Sequence, residues 1–236
     1  MKNIKVLISN FKFKLTNSKH TLIRSLYKYS DENKKFTHLM ECVNYLRVAG
    51  HNDVLPMTYF EFGCHSGRTF STIINSFQYF KIENPKFFAF DSFSGLPKTD
   101  DKLDGIFKEG TFNTSINDFK NIIKKRTYIN PNYINIVEGY YEYTLTSELQ
   151  RSLPKIGIVH IDVDLYSSTV VLLEFIKPLL VIGSIIVFDD WFCFPPDGEK
   201  GEMRAFNEFC VKYPEFKFIE WKNYSTFGKS LFVTSI

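Results

Sequence analysis

Five short runs along the chain are apolar at nearly every position, and each is followed by a segment with helical spacing. Met57–Phe62, Lys86–Asp91, Tyr133–Val137, Ile156–Asp162 and Ser184–Phe188 have the length and the β-branched or aromatic content of buried strands. Arg68–Phe80, Ser115–Arg126, Thr144–Leu153 and Ser167–Leu180 lie between them and read as helices. Strand and helix in alternation predict a mainly parallel sheet covered on both faces. Upstream, Phe36, Leu39, Met40, Val43, Tyr45, Leu46 and Val48 recur at close to helical spacing, with Gly50 as a stop signal, which predicts a helix over the front of the sheet. Downstream, Gly201–Tyr213 is a last helix, and Phe216–Trp221 with Ser230–Val233 reads as a closing antiparallel hairpin. The expected fold is therefore α/β and Rossmann-like, with a mainly parallel seven-stranded sheet.

Acids stand where these strands end. The run before Asp162 and Asp164, and the run before Asp189 and Asp190, each deliver two carboxylates to the C-terminal edge of the sheet. Ligands of open α/β sheets sit at that edge. Carboxylates gathered there without nearby Lys or Arg repel one another unless a proton or cation intervenes, so the pattern predicts a hard-metal site. The turn Gly63-Cys64-His65-Ser66-Gly67 follows the first strand and opens a helix, as in nucleotide-binding βαβ units. Taken alone, its glycines are as well explained by a tight turn. Asp91 raises the odds, because an acid at the end of the second strand is placed to accept hydrogen bonds from both hydroxyls of a ribose. The polar stretch 98–110 is long for a connection and reads as a mobile lid.

Composition narrows the class. The chain has 236 residues, 44% of them hydrophobic, enough for one domain with a substantial core. The longest apolar stretch, around Val170–Val187, is interrupted by Glu174, Lys177 and Pro178, short of the roughly 18 residues of a membrane span. Residues 1–30 carry too many lysines for a secretory signal. Cys42, Cys64, Cys193 and Cys210 have neither CxxC nor metal-finger spacing. A soluble, cytoplasmic protein is expected. Charge is uneven: residues 1–36 hold nine Lys or Arg against Asp31 and Glu32, whereas the remainder is net acidic. The expected division is a basic helical extension over 1–50 and a catalytic domain over 51–236. A solvated extension explains the basic segment better than an arm that meets an anionic partner.

Five motifs then occur in order: Tyr59-Phe60-Glu61-Phe62-Gly63; Phe90-Asp91-Ser92-Phe93-Ser94-Gly95-Leu96-Pro97; Glu138-Gly139-Tyr140-Tyr141-Glu142-Tyr143-Thr144-Leu145; His160-Ile161-Asp162-Val163-Asp164-Leu165-Tyr166; and Gly183-Ser184-Ile185-Ile186-Val187-Phe188-Asp189-Asp190. Together they resemble the macrocin O-methyltransferase family, class I enzymes that use S-adenosylmethionine and magnesium to methylate sugar hydroxyls of glycosylated natural products. The resemblance spans about Tyr59–Phe209 and implies a class I methyltransferase fold. It implies metal ligation by Asp162, Asp189 and Asp190, with Asp162 also the general base. It places Glu61, Gly63, Gly67, Asp91, Ser92, Gly139 and Tyr140 at the cofactor. Arg68 stands where the family commonly has a second glycine, and Val163 where it has a smaller residue.

The chemistry agrees with that assignment. Methyl transfer from a sulfonium is an in-line displacement, so catalysis is largely the positioning of an oxygen nucleophile. A carboxylate within hydrogen-bond reach can take the hydroxyl proton, and a divalent ion lowers the hydroxyl pKa. The implied partners are a small-molecule or glycan hydroxyl acceptor, without nucleic acid or integral membrane contact; a homo-oligomer is left open. Two rivals stand beside this reading: a nicotinamide-dependent oxidoreductase, which would want a fuller G-x-G-x-x-G turn, and a non-catalytic binding module with a basic docking arm. Of the remaining polar residues, Asp164 reads as a cap for the helix near Ser167 ahead of an acid supporting the metal ligands, and His160, on the same strand face as Asp162, as a core histidine ahead of a catalytic one, while His65 faces either cofactor or solvent. Cys64 is read as a small filler, and Phe93 and Trp191 as aromatics able to stack on adenine or sugar.

Overall fold

The computed structural model describes residues 29–49, 55–99, 107–130, 133–194 and 198–236. Its strands are β1 (Thr58–Phe62), β2 (Lys86–Asp91), β3 (Ile134–Glu138), β4 (Ile158–Ile161), β5 (Ile185–Phe188), β6 (Lys217–Asn223) and β7 (Lys229–Ser235). They form one sheet in the order β3-β2-β1-β4-β5-β7-β6. The first five run parallel, and β7 joins β5 antiparallel before pairing with β6. This is the expected Rossmann-like sheet with a C-terminal hairpin. Strand order reverses between β1 and β4, which opens a crevice at their C-terminal ends.

Helices cover both faces: α1 over 29–49, α2 (Arg68–Tyr79), α3 (Ile116–Arg126), α4 (Tyr141–Thr144), α5 (Ser147–Ser152), α6 (Tyr166–Ile176) and α7 (Gly201–Lys212). Every residue of β1, β4 and β5 is buried, so their side chains alternate between two separate cores. Phe60, Phe62, Phe90, Ile161 and Phe188 pack against α4–α7. Tyr59, Phe87, Ala89, Ile158 and Val187 meet α1, α2 and α3. Ser115 caps α3 by accepting from the Asp118 amide at 3.1 Å, and Lys124, Lys125 and Arg126 complement its C-terminal dipole.

Two elements differ from the sequence pattern. Thr144–Leu153 is not one helix; it breaks after Thr144, and Thr146 caps the second piece by accepting from the Leu149 amide at 3.2 Å. The segment expected as helix to Leu180 ends its α-helix at Ile176 and finishes as a 3-10 turn over Lys177–Leu179, because Pro178 has no N–H to give the Glu174 carbonyl. Phe93 and Trp191, expected as ligand-stacking aromatics, are core residues instead. Phe93 packs on Phe119, and Trp191 on Phe188 and Phe206. The ends of the polar connection are tied together, the Leu96 amide donating to Thr111 O and the Gly110 amide to Leu96 O. Residues 100–106 of the expected lid, and residues 1–28 of the basic segment, lie outside the described residues. Among the described residues no helix is long and apolar enough to cross a membrane.

Helix α1 begins well before the stretch expected from its apolar spacing and belongs to the core. Leu39, Cys42, Val43 and Leu46 are fully buried. Beside them His38 stacks on Tyr224 with ring centroids 4.7 Å apart, and its Nε2 lies 2.9 Å from Ser230 Oγ. Its Nδ1 faces Glu41 at 3.1 Å. Burial outweighs Glu41 and lowers the His38 pKa, with Lys222 and His160 acting in the same direction. A histidine held neutral in the fold stabilises above its unfolded pKa of about 6.5, and that stability is lost as pH falls from there through the lowered folded value. Thermal melts between pH 7.5 and 5 should therefore show decreasing stability, and His38→Gln should reduce the dependence on pH over that window.

Candidate active site

The C-terminal ends of β1, β2 and β4 wall a cleft of about 890 Å³, open mouth included. Its enclosed part is about 270 Å³, close to the lower bound of the roughly 300–1,000 Å³ of small-molecule and cofactor sites. Gly63, His65, Asp91, Ser92, Gly139, Tyr140 and Asp162 all line it, together with Phe112 and Tyr141. Gly63 holds φ +84°, and a Cβ there would sit 1.7 Å from the carbonyl oxygen of Asp162, so only glycine lets the turn cross the end of β4. Gly67 holds φ +71° at the N-cap of α2, where a Cβ would press on the Phe119 ring at 2.9 Å. Gly67 shapes the turn from behind and does not line the cleft.

Asp91 is fixed by its backbone neighbours. Its Oδ2 accepts from the His65 amide and its Oδ1 from the Phe93 amide, both at 2.7 Å. Each oxygen keeps a lone pair, so hydroxyls of a ligand can be accepted without breaking the loop. Burial raises the Asp91 pKa against the pull of these amides. Ser92 donates to Gly95 O at 2.7 Å and accepts from the Ser94 amide at 3.1 Å, shaping the loop that edges the cleft. His65, whose orientation the sequence left open, faces the cleft and meets Phe112 edge-on. Glu61 is fully buried, accepts from the Tyr59 hydroxyl through Oε2, and is absent from the cleft wall; its Oε1 has no hydrogen-bond partner.

Beside this cleft the carboxylates converge in two clusters that share Asp162: His160, Asp162 and Asp189, and Asp162, Asp164 and Asp190. The ligand atoms within each lie within 4.8 Å of one another. Of the three expected metal ligands, Asp189 and Asp190 therefore each fall in a cluster with Asp162, but not in the same one. Lys35 of α1 lies in the first cluster, its Nζ 3.1 Å from Asp162 Oδ2 and 2.7 Å from Asp189 Oδ2. The expectation that no basic residue stands near these acids is thereby corrected: the cation arrives from a helix far away in sequence. Burial opposes ionisation of Asp189, but the Lys35 ammonium prevails and holds the carboxyl below the usual range. Asp162 remains raised because burial and Asp189 outweigh Lys35 there.

In the second cluster there is no such cation among the described residues. Burial and then Asp162 push the Asp164 carboxyl up to about 7, while a hydrogen bond to Asp190 pulls the other way. Asp190 is raised further by burial, Asp164 and Glu202. Glu202 of α7, fully buried, accepts from the Asp190 amide at 3.0 Å. Asp164 does not cap α6: the N-cap is Leu165, without a side-chain bond, and Asp164 itself holds a left-handed φ of 61°. That backbone turns the carboxyl towards the cleft instead.

Three residues of this site escaped the sequence reading: Lys35, Glu202 and Tyr224. The Tyr224 hydroxyl lies 2.9 Å from Phe188 O and 3.0 Å from Asp189 Oδ1. For Lys35 a signal existed, since it falls four residues before Leu39, in phase with the buried stripe of α1.

A family profile described as macrocin-O-methyltransferase (TylF) matches residues 31–209. Among solved structures, the O-methyltransferase NovP superposes with a TM-score of 0.68 at 16% identity, covering 86% of this chain and 80% of its own. The calicheamicin methyltransferase CalS11 gives 0.65 at 24% identity, with 83% and 78% covered. An O-methyltransferase from Bacillus cereus in complex with SAH gives 0.55 at 11% identity, with 84% and 81% covered. These identities establish the shared fold. No curated protein sequence matches the chain.

The close approach at the glycine turn makes Gly63→Ala diagnostic. The added Cβ has both a forbidden φ and a backbone oxygen to avoid, so we expect a loss of roughly 3 kcal/mol or more in urea denaturation. Ser92→Ala, which leaves the backbone path intact, should cost about 1 kcal/mol.

Proposed function

Because the chain belongs to the macrocin O-methyltransferase family, we propose that it transfers a methyl group from S-adenosylmethionine to a hydroxyl of a sugar or glycosylated metabolite. One observation carries the cofactor half of this reading: Asp91, anchored by two amides at the end of β2, shares a cleft with the glycine turn and with Asp162. The ribose binds Asp91, and the adenine lies on the Gly139–Tyr140 side. Gly63 gives the methionine portion close passage over the end of β4. Glu61 acts from behind the turn. The sugar acceptor is supported by family membership and by CalS11, described as a TDP-rhamnose 3'-O-methyltransferase.

Asp162 is the general base, since it stands where the cofactor cleft meets the acid clusters. It takes the hydroxyl proton as the oxygen attacks the methyl carbon, and the sulfonium leaves as a neutral thioether. Buried Tyr224 keeps Asp189 oriented through its hydroxyl. The oxygen donors suit a hard ion such as magnesium, and Asp164 and Asp190 are raised first by burial and then by the neighbouring acids, a charge that a cation would offset. Asp162, common to both clusters, would hold that ion together with Asp189 or together with Asp164 and Asp190, and the ion when bound lowers the pKa of the acceptor hydroxyl. A nicotinamide cofactor is disfavoured by the short glycine turn.

Calorimetric titration with S-adenosylhomocysteine tests the cofactor assignment. Binding should be seen in the wild type and weaken about 10- to 100-fold in Asp91→Ala, as expected for loss of charged hydrogen bonds. Absence of binding to the wild type would remove the methyltransferase reading. With nucleotide-sugar acceptors and methyl-labelled S-adenosylmethionine, Asp162→Asn should keep cofactor affinity yet lose about 10²- to 10⁴-fold in turnover.

A further inference from the structure

We propose that Lys35 and a divalent cation are alternative occupants of the His160–Asp162–Asp189 cluster, so that cation binding requires the first turns of α1 to withdraw. The inference rests on the acid clusters of the proposed active site and deepens that reading. Lys35 Nζ bridges one oxygen from each aspartate, the position from which an ion would bridge them. Its side chain is only 17% exposed, so it fills the space between α1 and the sheet edge. An ammonium and a metal ion cannot share those two oxygens.

His160 indicates that the lysine is not the cluster's only suitable occupant. It is fully buried, and neither ring nitrogen has a hydrogen-bond partner. Its Nε2 points at Asp189 Oδ1 from 3.8 Å, too far for a hydrogen bond. Lys35 directs its ammonium to Asp162 and Asp189 and leaves the imidazole lone pair unused, whereas a metal ion between the three residues could take it as a ligand. One imidazole and two carboxylates form a mixed nitrogen and oxygen donor set, and manganese, which takes carboxylate oxygens as magnesium does, is a spectroscopically visible occupant for it. His160 rather than Asp190 would thus complete this set with Asp162 and Asp189.

The attachment of α1 permits the exchange. From His38 onward the helix is fixed by buried Leu39, Cys42, Val43 and Leu46. The turns before it are held chiefly by polar contacts: Asp31 to Thr226, Glu32 to Arg68, and Lys35 itself. Half-buried Phe36 is the main apolar contact of that part. Withdrawing these turns uncovers little apolar surface, whereas withdrawing the remainder would open a core.

Mn2+ is the probe, its free concentration read by electron paramagnetic resonance in titrations of the full chain. Lys35→Met should bind Mn2+ at least about tenfold more tightly than the wild type, because the competing occupant is gone. Lys34→Met, which removes the same charge from the exposed side of the helix, should not. His160→Gln should weaken binding in the Lys35→Met background. In the wild type, saturating Mn2+ should raise amide hydrogen exchange over residues 30–37 and leave 39–46 protected. Equal Mn2+ affinity with and without Lys35, unchanged exchange in α1, or no Mn2+ binding to any variant would overturn the proposal. The exchange measurement on the wild type decides the matter even if Lys35→Met proves unstable. Titration of the same preparations with S-adenosylhomocysteine reports separately on the methyltransferase reading.

Discussion

Negative charge converging at one sheet edge is the constraint on which this molecule depends. Parallel β4 and β5 end side by side, and their last residues are followed at once by aspartates. Asp162, Asp164, Asp189 and Asp190 are joined by Glu202 from α7 in a region where burial opposes ionisation of every one of them. Such a group cannot remain wholly ionised without compensation. Lys35 supplies it on one side of Asp162, and raised carboxyl pKa values relieve it on the other. The placement of α1 follows from the same need, for this helix both covers the α2–α3 face of the sheet and carries the compensating charge to its edge.

The sheet's own geometry keeps cofactor chemistry and acid chemistry adjacent without mixing them. β1 stands between β2 and β4, so the glycine turn after β1 touches Asp91 on one side and Asp162 on the other. The missing side chain of Gly63 lets the turn pass against the end of β4, where a Cβ would come within 1.7 Å of the Asp162 carbonyl oxygen. A side chain at position 63 would push the cofactor wall away from the acids, which is why the same glycine matters to both.

The central strands β1, β4 and β5 were readable because burial on both faces leaves a continuous apolar signature, and all seven strands lie within a few residues of the runs that announced them. The acids at their ends were readable for the same reason, since a strand's C-terminus is defined by its last apolar residue. Asp164 was misread because an acid just before a helix is ordinarily its cap; only the left-handed backbone at that residue sends the carboxyl elsewhere. Phe93 and Trp191 were misread because an aromatic in a loop next to a site has no sequence feature that separates a stacking platform from a core plug. Lys35 and Tyr224 reach Asp189 from opposite ends of the chain; the phase of Lys35 with the α1 stripe marks it as inward-facing, but no local pattern names the carboxylates it meets.

Helix α1 also changes how the basic N-terminal segment is understood. A run of positive charge is usually a solvated face, and Lys34 fits that description. Lys35, one position on, points to the opposite side of the helix and carries its charge into the acid cluster. The same composition thus serves two ends within one turn, and what divides them is phase relative to the Leu39–Leu46 stripe rather than charge itself. A lysine in phase with a buried stripe must either find carboxylates or disrupt the packing. Here it finds two, and the stripe behind it sets how far into the site it can reach.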